Sequence, residues 1–218
     1  RKGAPVIAGA FVTSIDMNSG APTFGTPEAS LITYGAGQLV RRLGVPYRSA
    51  GGFTGSKIPD AQAAYESANS LNMGLLAGVN FMLHACGWLE GGLVASFDKF
   101  VMDADQLGIL HHLAKGVDMS ENGQAMSAIR EVNASTHYLG TEHTQANFKS
   151  AFWRTDLLDY KPFETWEDEG SRDTVQLARE RVTKLLNDYQ KPPIDPAIEE
   201  ALKEYVAKKK ASMPDAFM

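Results

Sequence analysis

Along the first half of the chain, short continuous apolar runs alternate with stretches of helical period. Residues 5–13, from Pro5 to Thr13, form an almost unbroken apolar run, the pattern of a strand buried on both faces. A polar loop follows, and Thr26-Pro27-Glu28 then supplies an N-cap, a proline at the first helical position and a negative charge in the first turn. The spacing predicts a helix from there to Leu43, stopped by Gly44. Residues 46–50 predict a short second strand, and a Gly-rich loop over 51–57 leads to Pro59-Asp60. These open a helix with Ala64, Tyr65, Ala68, Leu71, Leu75 and Leu76 at helical spacing. The third unit is a strand over 80–85, a loop over 86–92 and a long helix from about Val94 to Lys115.

Successive strand-then-helix units predict an α/β fold with a parallel sheet, either barrel or doubly wound, carrying its function on the loops after the strands. Three units cannot close an eight-stranded barrel, and the chain opens without Met almost directly into a strand, so a preceding N-terminal portion is expected. Residues 118–133 predict a short helix and 134–170 an irregular stretch carrying Trp153 and Trp166. Residues 171–190 predict an amphipathic helix with Val175, Ala178, Val182, Leu185, Leu186 and Tyr189 on one stripe. Lys191-Pro192-Pro193 breaks it, and Asp195-Pro196 caps a last helix with Ile198, Leu202 and Tyr205 turned inward. The expected organisation is three βα units over 1–117, a helical and irregular extension packed on them over 118–170, and C-terminal helices over 171–218.

A net charge of -5 with interspersed signs argues against a nucleic-acid partner. No apolar run reaches the roughly 18–20 residues that span a bilayer. Arg1-Lys2-Gly3 with the following apolar stretch only loosely resembles a signal peptide, since no small-residue cleavage site follows. The single cysteine, Cys86, excludes an internal disulfide and fits a reducing, cytoplasmic compartment.

Candidate chemistry sits in the three loops. Asp16, alone among charges in the first, reads as a turn residue. The second has neither Walker spacing nor GxGxxG; its glycines would let a bulky group approach the backbone, and Lys57 reads as a solvated lysine. In the third, His84, Cys86, Trp88 and Glu90 crowd together, and a strand continuing through them would turn His84 and Cys86 to one side. Zinc held by His84, Cys86 and Glu90 is one reading, without a supporting CxxC or HExxH; a core histidine and cysteine beside a helix start is another. His111 and His112 point about 100° apart on a helix and cannot share an ion. Glu142-His143 fits either an oriented imidazole or a helix start.

Three segments then carry a resemblance. Ala50-Gly-Gly-Phe-Thr-Gly-Ser-Lys57-Ile-Pro-Asp60-Ala-Gln62 is the first. The second is His84-Ala-Cys-Gly-Trp88-Leu-Glu90-Gly-Gly-Leu93 with Val101-Met-Asp103. The third is Leu139-Gly-Thr-Glu142-His143-Thr144 with Phe148 and Phe152-Trp153 behind it. In order and spacing they resemble the trimethylamine methyltransferase family over essentially the whole chain. The resemblance implies the C-terminal part of a (β/α)8 TIM-type barrel with a helical tail, acting in methylamine and one-carbon metabolism. It further implies a methylated amine held in the barrel mouth while a corrinoid (cobalamin) on a separate partner protein presents cobalt(I), leaving positioning and desolvation to this chain.

Family enzymes acting on trimethylamine contain pyrrolysine, which the resemblance places in or near the loop after Gly51-Gly52; here that loop holds standard residues, Ser56 and Lys57 included. A quaternary ammonium needs no such activation, because its leaving group departs as a neutral amine, so the resemblance implies a betaine-like substrate. Aromatic faces would hold the cation, with Trp88 and Phe53 best placed, and His84 or Lys57 would donate to a carboxylate. Glu90 would orient His84 or meet the cation. The expected catalytic residues are thus His84 and Glu90, the substrate-binding residues Trp88, Phe53 and Lys57, with no resident metal and self-association through the C-terminal helices. Two other readings stay open: a zinc-dependent corrinoid methyltransferase acting on a thiol or alcohol, and a non-catalytic betaine-binding or assembly protein.

Overall fold

The computed structural model describes residues 2–155 and 157–213. Strands β1 (Ala8–Ala10), β4 (Tyr47–Ala50) and β5 (Phe81–Leu83) form a parallel sheet in the order β1-β4-β5. The register sets Gly9 beside Arg48 and Arg48 beside Phe81. Two small antiparallel pairs sit in the loops: β2 (Ser14–Ile15) with β3 (Pro22–Thr23), and β6 (Trp88–Leu89) with β7 (Val94–Ala95).

Helix α1 (Pro27–Leu43) follows the prediction at both ends, with proline at its first position and Gly44 closing it at φ 66°. Helix α2 (Ala61–Leu76) starts where Asp60 accepts from Ala63 N at 3.0 Å. That amide, with Ser56 Oγ, holds the Asp60 carboxyl below the usual range. Both helices pack on one face of the sheet. Tyr47 is 2% exposed there, with its hydroxyl donating to Thr33 O of α1, and Leu71 of α2 is fully buried.

The first strand is a correction. It was expected over Pro5–Thr13 and buried on both faces, but β1 is only Ala8–Ala10, and Val6 and Ile7 are 59% and 61% exposed. The helices cover one face only, and β1 is an edge strand, so its apolar run has nothing to bury against within the described residues. Helix α3 (Phe97–Ala114) also starts later than Val94, because Val94 and Ala95 pair with Leu89 and Trp88. Ser96 then caps it, accepting from Lys99 N. His111 and His112 lie exposed in its last turn.

The single helix expected over 118–133 is two, α4 (Glu121–Gln124) and α5 (Met126–Glu131), broken at Ala125 with φ 50°. Between 134 and 170 come the short helices α6 (Glu142–Asn147), capped by Thr141, and α7 (Phe163–Asp168). His143 Nε2 donates to Asn122 O at 2.8 Å, tying α6 to α4. Trp166 Nε1 donates to Arg172 O at 3.0 Å.

The chain divides into two compact units between Thr183 and Lys184, within helix α8 (Thr174–Asn187). Of the predicted stripe on α8, Ala178 is fully buried, whereas Leu185, Leu186 and Tyr189, beyond the division, are exposed. The second unit carries α9 (Pro196–Ser212), capped by Asp195 through Ala197 N. Ile198, Leu202 and Tyr205, expected inward, are each more than half exposed, since a short helical unit offers them no core. No described helix is long and apolar enough to cross a membrane.

Candidate active site

The loops after the three parallel strands meet at one end of the sheet, where five rings converge: Phe11 after β1, Phe24 after β3, Phe53 after β4, and His84 and Trp88 after β5. Phe53 is the floor, 4% exposed, stacked on Phe24 at 4.8 Å and on Trp88 at 5.9 Å, with Phe11 at 5.4 Å and His84 at 4.9 Å. His84 stands edge-on to Trp88 at 5.8 Å. Phe11 and His84 are exposed and Trp88 is half-buried, so ring faces and edges remain open above a buried floor. Gly92, at φ 95°, is required here: a Cβ would come within 2.5 Å of the Phe53 ring.

Strand β5 ends at Leu83, and His84 takes the left-handed conformation at φ 51°. The strand alternation that would have turned His84 and Cys86 to one side therefore does not operate. Cys86 is instead held near Asp103, and burial, reinforced by that carboxylate, pushes its thiol up to about 11. Among the described residues no three His, Cys, Asp or Glu side chains form a metal-binding group.

The second and third loops are laced together. Thr54 Oγ1 and Gly55 N both donate to Glu66 Oε2, at 2.5 and 2.7 Å. Glu90 N donates to Ser56 O and Gly91 N to Thr54 O, each at 2.7 Å. Glu90 itself is half-buried at φ 47°, and no hydrogen bond joins it to His84 among the described residues. Lys57 is exposed and donates to Gly55 O at 2.8 Å, folding back on its own loop. Of the residues singled out from sequence, the structure brings Phe53, His84 and Trp88 into mutual contact, sets Glu90 beside them in the backbone, and leaves Lys57 outside the ring cluster. Asp16 is a turn residue: it accepts from Ser19 Oγ at 2.6 Å, which with the Asn18 amide lowers its pKa.

Sequence reasoning missed Arg48. Tyr47 and Ser49 point into the helical layer, so Arg48 between them points to the open face. Its guanidinium lies across Gly9, within 2.8 Å of where a Cβ would stand, and glycine is what makes that room. No hydrogen bond or ion pair holds the guanidinium among the described residues. Phe11 lies two residues beyond Gly9, just past the end of β1, so the guanidinium and the first of the rings belong to neighbouring stretches of chain. The alternation of Tyr47, Arg48 and Ser49 along the short strand was the available signal.

The sequence also left Lys99 unread. Lys99 and Asp103, one turn apart on α3, form an ion pair at 2.5 Å with side chains 2% and 6% exposed. Lys99 Nζ also donates to Gly52 O and Ser67 Oγ, each at 2.8 Å, and Asp103 Oδ2 accepts from Gly87 N at 2.8 Å. Burial pushes the Asp103 carboxyl up, against the lowering effect of Lys99. A cavity of about 400 Å³ lies between α2, α3 and residues 157–158 and 173–175; Ser67, Lys99 and Asp103 are among its lining residues and none of the five rings is.

Loops after the parallel strands of an α/β sheet are where such folds commonly bind small ligands, and the ring cluster lies there. The sequence profile of the trimethylamine methyltransferase (MTTB) family matches residues 1–214, and the chain belongs to that family. It is 39% identical over 207 residues to a glycine betaine methyltransferase of Desulfitobacterium hafniense, covering 95% of this chain and 43% of that protein. It is 29% identical over 205 residues to the trimethylamine methyltransferase MttB of another D. hafniense strain, and 31% over 195 residues to MttB of Methanosarcina barkeri. The chain thus spans about two fifths of the length of these relatives.

Proposed function

We propose that the intact protein is a methyltransferase that takes a methyl group from a betaine-type quaternary amine and passes it to a corrinoid carried by a partner protein. The observation that carries this reading is a ring cluster at the strand ends together with a guanidinium, on the strand that leads into it, that has no carboxylate partner among the described residues. A quaternary ammonium has no N–H to donate, so it is held by aromatic faces within about 6 Å. Phe11, His84 and Trp88 offer such surfaces over Phe53. A betaine carboxylate on the same molecule would face Arg48, whose planar fork suits it better than the exposed Lys57. Trimethylamine, with no carboxylate, would leave Arg48 without use. The similarity to a glycine betaine methyltransferase supports the same choice.

The finer architecture follows from this reading. The three parallel strands with helices on one face form part of a (β/α)8 barrel, and the face bearing Arg48 is its interior. A reduced corrinoid, when presented, supplies a strong nucleophile toward carbon. This chain's residues hold the ammonium against the rings, anchor the carboxylate at Arg48 and keep water from the buried floor at Phe53. The methyl carbon leaves the nitrogen, which keeps the bonding electron pair and departs as a neutral tertiary amine. His84 and Glu90 act as substrate-facing groups at the rim.

The test is product formation by the intact protein with a reduced corrinoid protein. Dimethylglycine from glycine betaine, without dimethylamine from trimethylamine, is expected. Dimethylamine formation would overturn the substrate, and neither product would overturn the reaction.

A further inference from the structure

Among the described residues no hydrogen bond or cation–ring contact joins the buried ion pair of α3 to the five rings, yet it holds the backbone from which two of them hang. Lys99 Nζ donates to Gly52 O, the residue before Phe53, and Asp103 accepts from Gly87 N, the residue before Trp88. The two loops are therefore joined, peptide to peptide, through one salt bridge of 2.5 Å. Ser67 Oγ closes the set, receiving from Lys99 and donating to Gly52 O.

Stability alone gives little reason for such a pair. Removing two charges from water is costly, and apolar replacements of similar volume are often neutral or stabilising. What an apolar pair could not do is present a donor to the Gly52 carbonyl and an acceptor to the Gly87 amide at a set separation. The rings that follow those peptides stack at 5.9 Å with planes 28° apart. A second tie, from Glu90 N and Gly91 N to the carbonyls of Ser56 and Thr54, joins the same loops further on, so loss of the pair would shift the rings rather than release the loops.

We propose that Lys99 and Asp103 are positioning residues that set the spacing of the Phe53 and Trp88 rings and thereby the affinity of the site for a quaternary ammonium. The proposal rests on the reading of the rings as a cation site. Cation–ring attraction needs the cation close over the ring face, so displacing one ring of the pair weakens the hold on the ammonium.

The experiment is calorimetric titration of glycine betaine into the intact protein, with thermal melts, for the wild type and Lys99→Met/Asp103→Leu. The expected result is a melt within a few degrees of the wild type and a Kd raised about tenfold, with KM rising in parallel and kcat changing less than threefold. The charge-reversed Lys99→Asp/Asp103→Lys keeps an ion pair but sets a carboxylate against the Gly52 carbonyl. It is expected not to restore affinity. Binding within twofold of the wild type, in either folded double variant, overturns the proposal. If neither gives a cooperative melt, Asp103→Asn decides: a Kd raised threefold or more supports the proposal, and an unchanged one overturns it. A wild-type protein that binds no betaine overturns the reading of the rings themselves.

Discussion

On β4, successive side chains meet two different environments. Tyr47 and Ser49 enter the helical layer, where Tyr47 is 2% exposed and its hydroxyl reaches Thr33 O. Arg48, between them, faces the open side, over Gly9 and level with Phe81, itself 56% exposed. Among the described residues the covered face has the buried side chains and satisfied hydrogen bonds of a core. The open face has, among the described residues, an unpaired charge and bare rings, which under the proposed function meet the substrate. Under that proposal one strand separates stability from binding by the alternation of its side chains.

The largest effect should come from breaking the covered face. Tyr47→Ala removes a fully buried ring and is expected to cost about 3–5 kcal/mol, read as a lower urea midpoint. On the open face, Arg48→Met should leave the melt unchanged and lower kcat/KM for glycine betaine about a hundredfold, the size of a lost charge-assisted pair. If Arg48→Met instead lowered the melting point and spared activity, the contrast between the faces would be wrong. Trp88→Ala should raise KM about tenfold, as expected for one partly desolvated cation–ring contact, measured in the same assay.

The smallest change gives the sharpest contrast. Gly9 has no positive φ, so Ala is compatible with its backbone, and Gly9→Ala should stabilise the fold by about 0.5 kcal/mol through the unfolded chain. The same methyl would displace the Arg48 guanidinium and lower kcat/KM several-fold. Stability and activity moving in opposite directions, in paired denaturation and kinetic measurements, would separate the two faces at one residue. Activity left unchanged would mean that the guanidinium is not held where the substrate needs it.

Much of the local structure was legible in the sequence. Thr26-Pro27 and Gly44 bound α1, and Asp60 starts α2, because caps and helix stops act through neighbouring backbone groups. The nearness of His84, Trp88 and Glu90 follows from chain adjacency, and Phe53 was reachable as the ring of the preceding loop. Family membership, too, was carried by local segments, and the match over residues 1–214 agrees with it.

Contacts across the sheet were not legible. Phe11 and Phe24 join the rings only because β1 lies beside β4 and the β2–β3 hairpin folds over them. Lys57 turned to its own loop carbonyl, which residue type alone does not reveal. Arg48 found its place because pairing set β4 in register with Gly9, and Lys99 with Asp103 found theirs because α3 packs behind both loops. Helix ends and turns are decided within a few residues by hydrogen bonds and allowed backbone angles, so the sequence determined them. The facing of a side chain, and the company it keeps there, depend on register and packing between distant segments, and only the tertiary structure decided those.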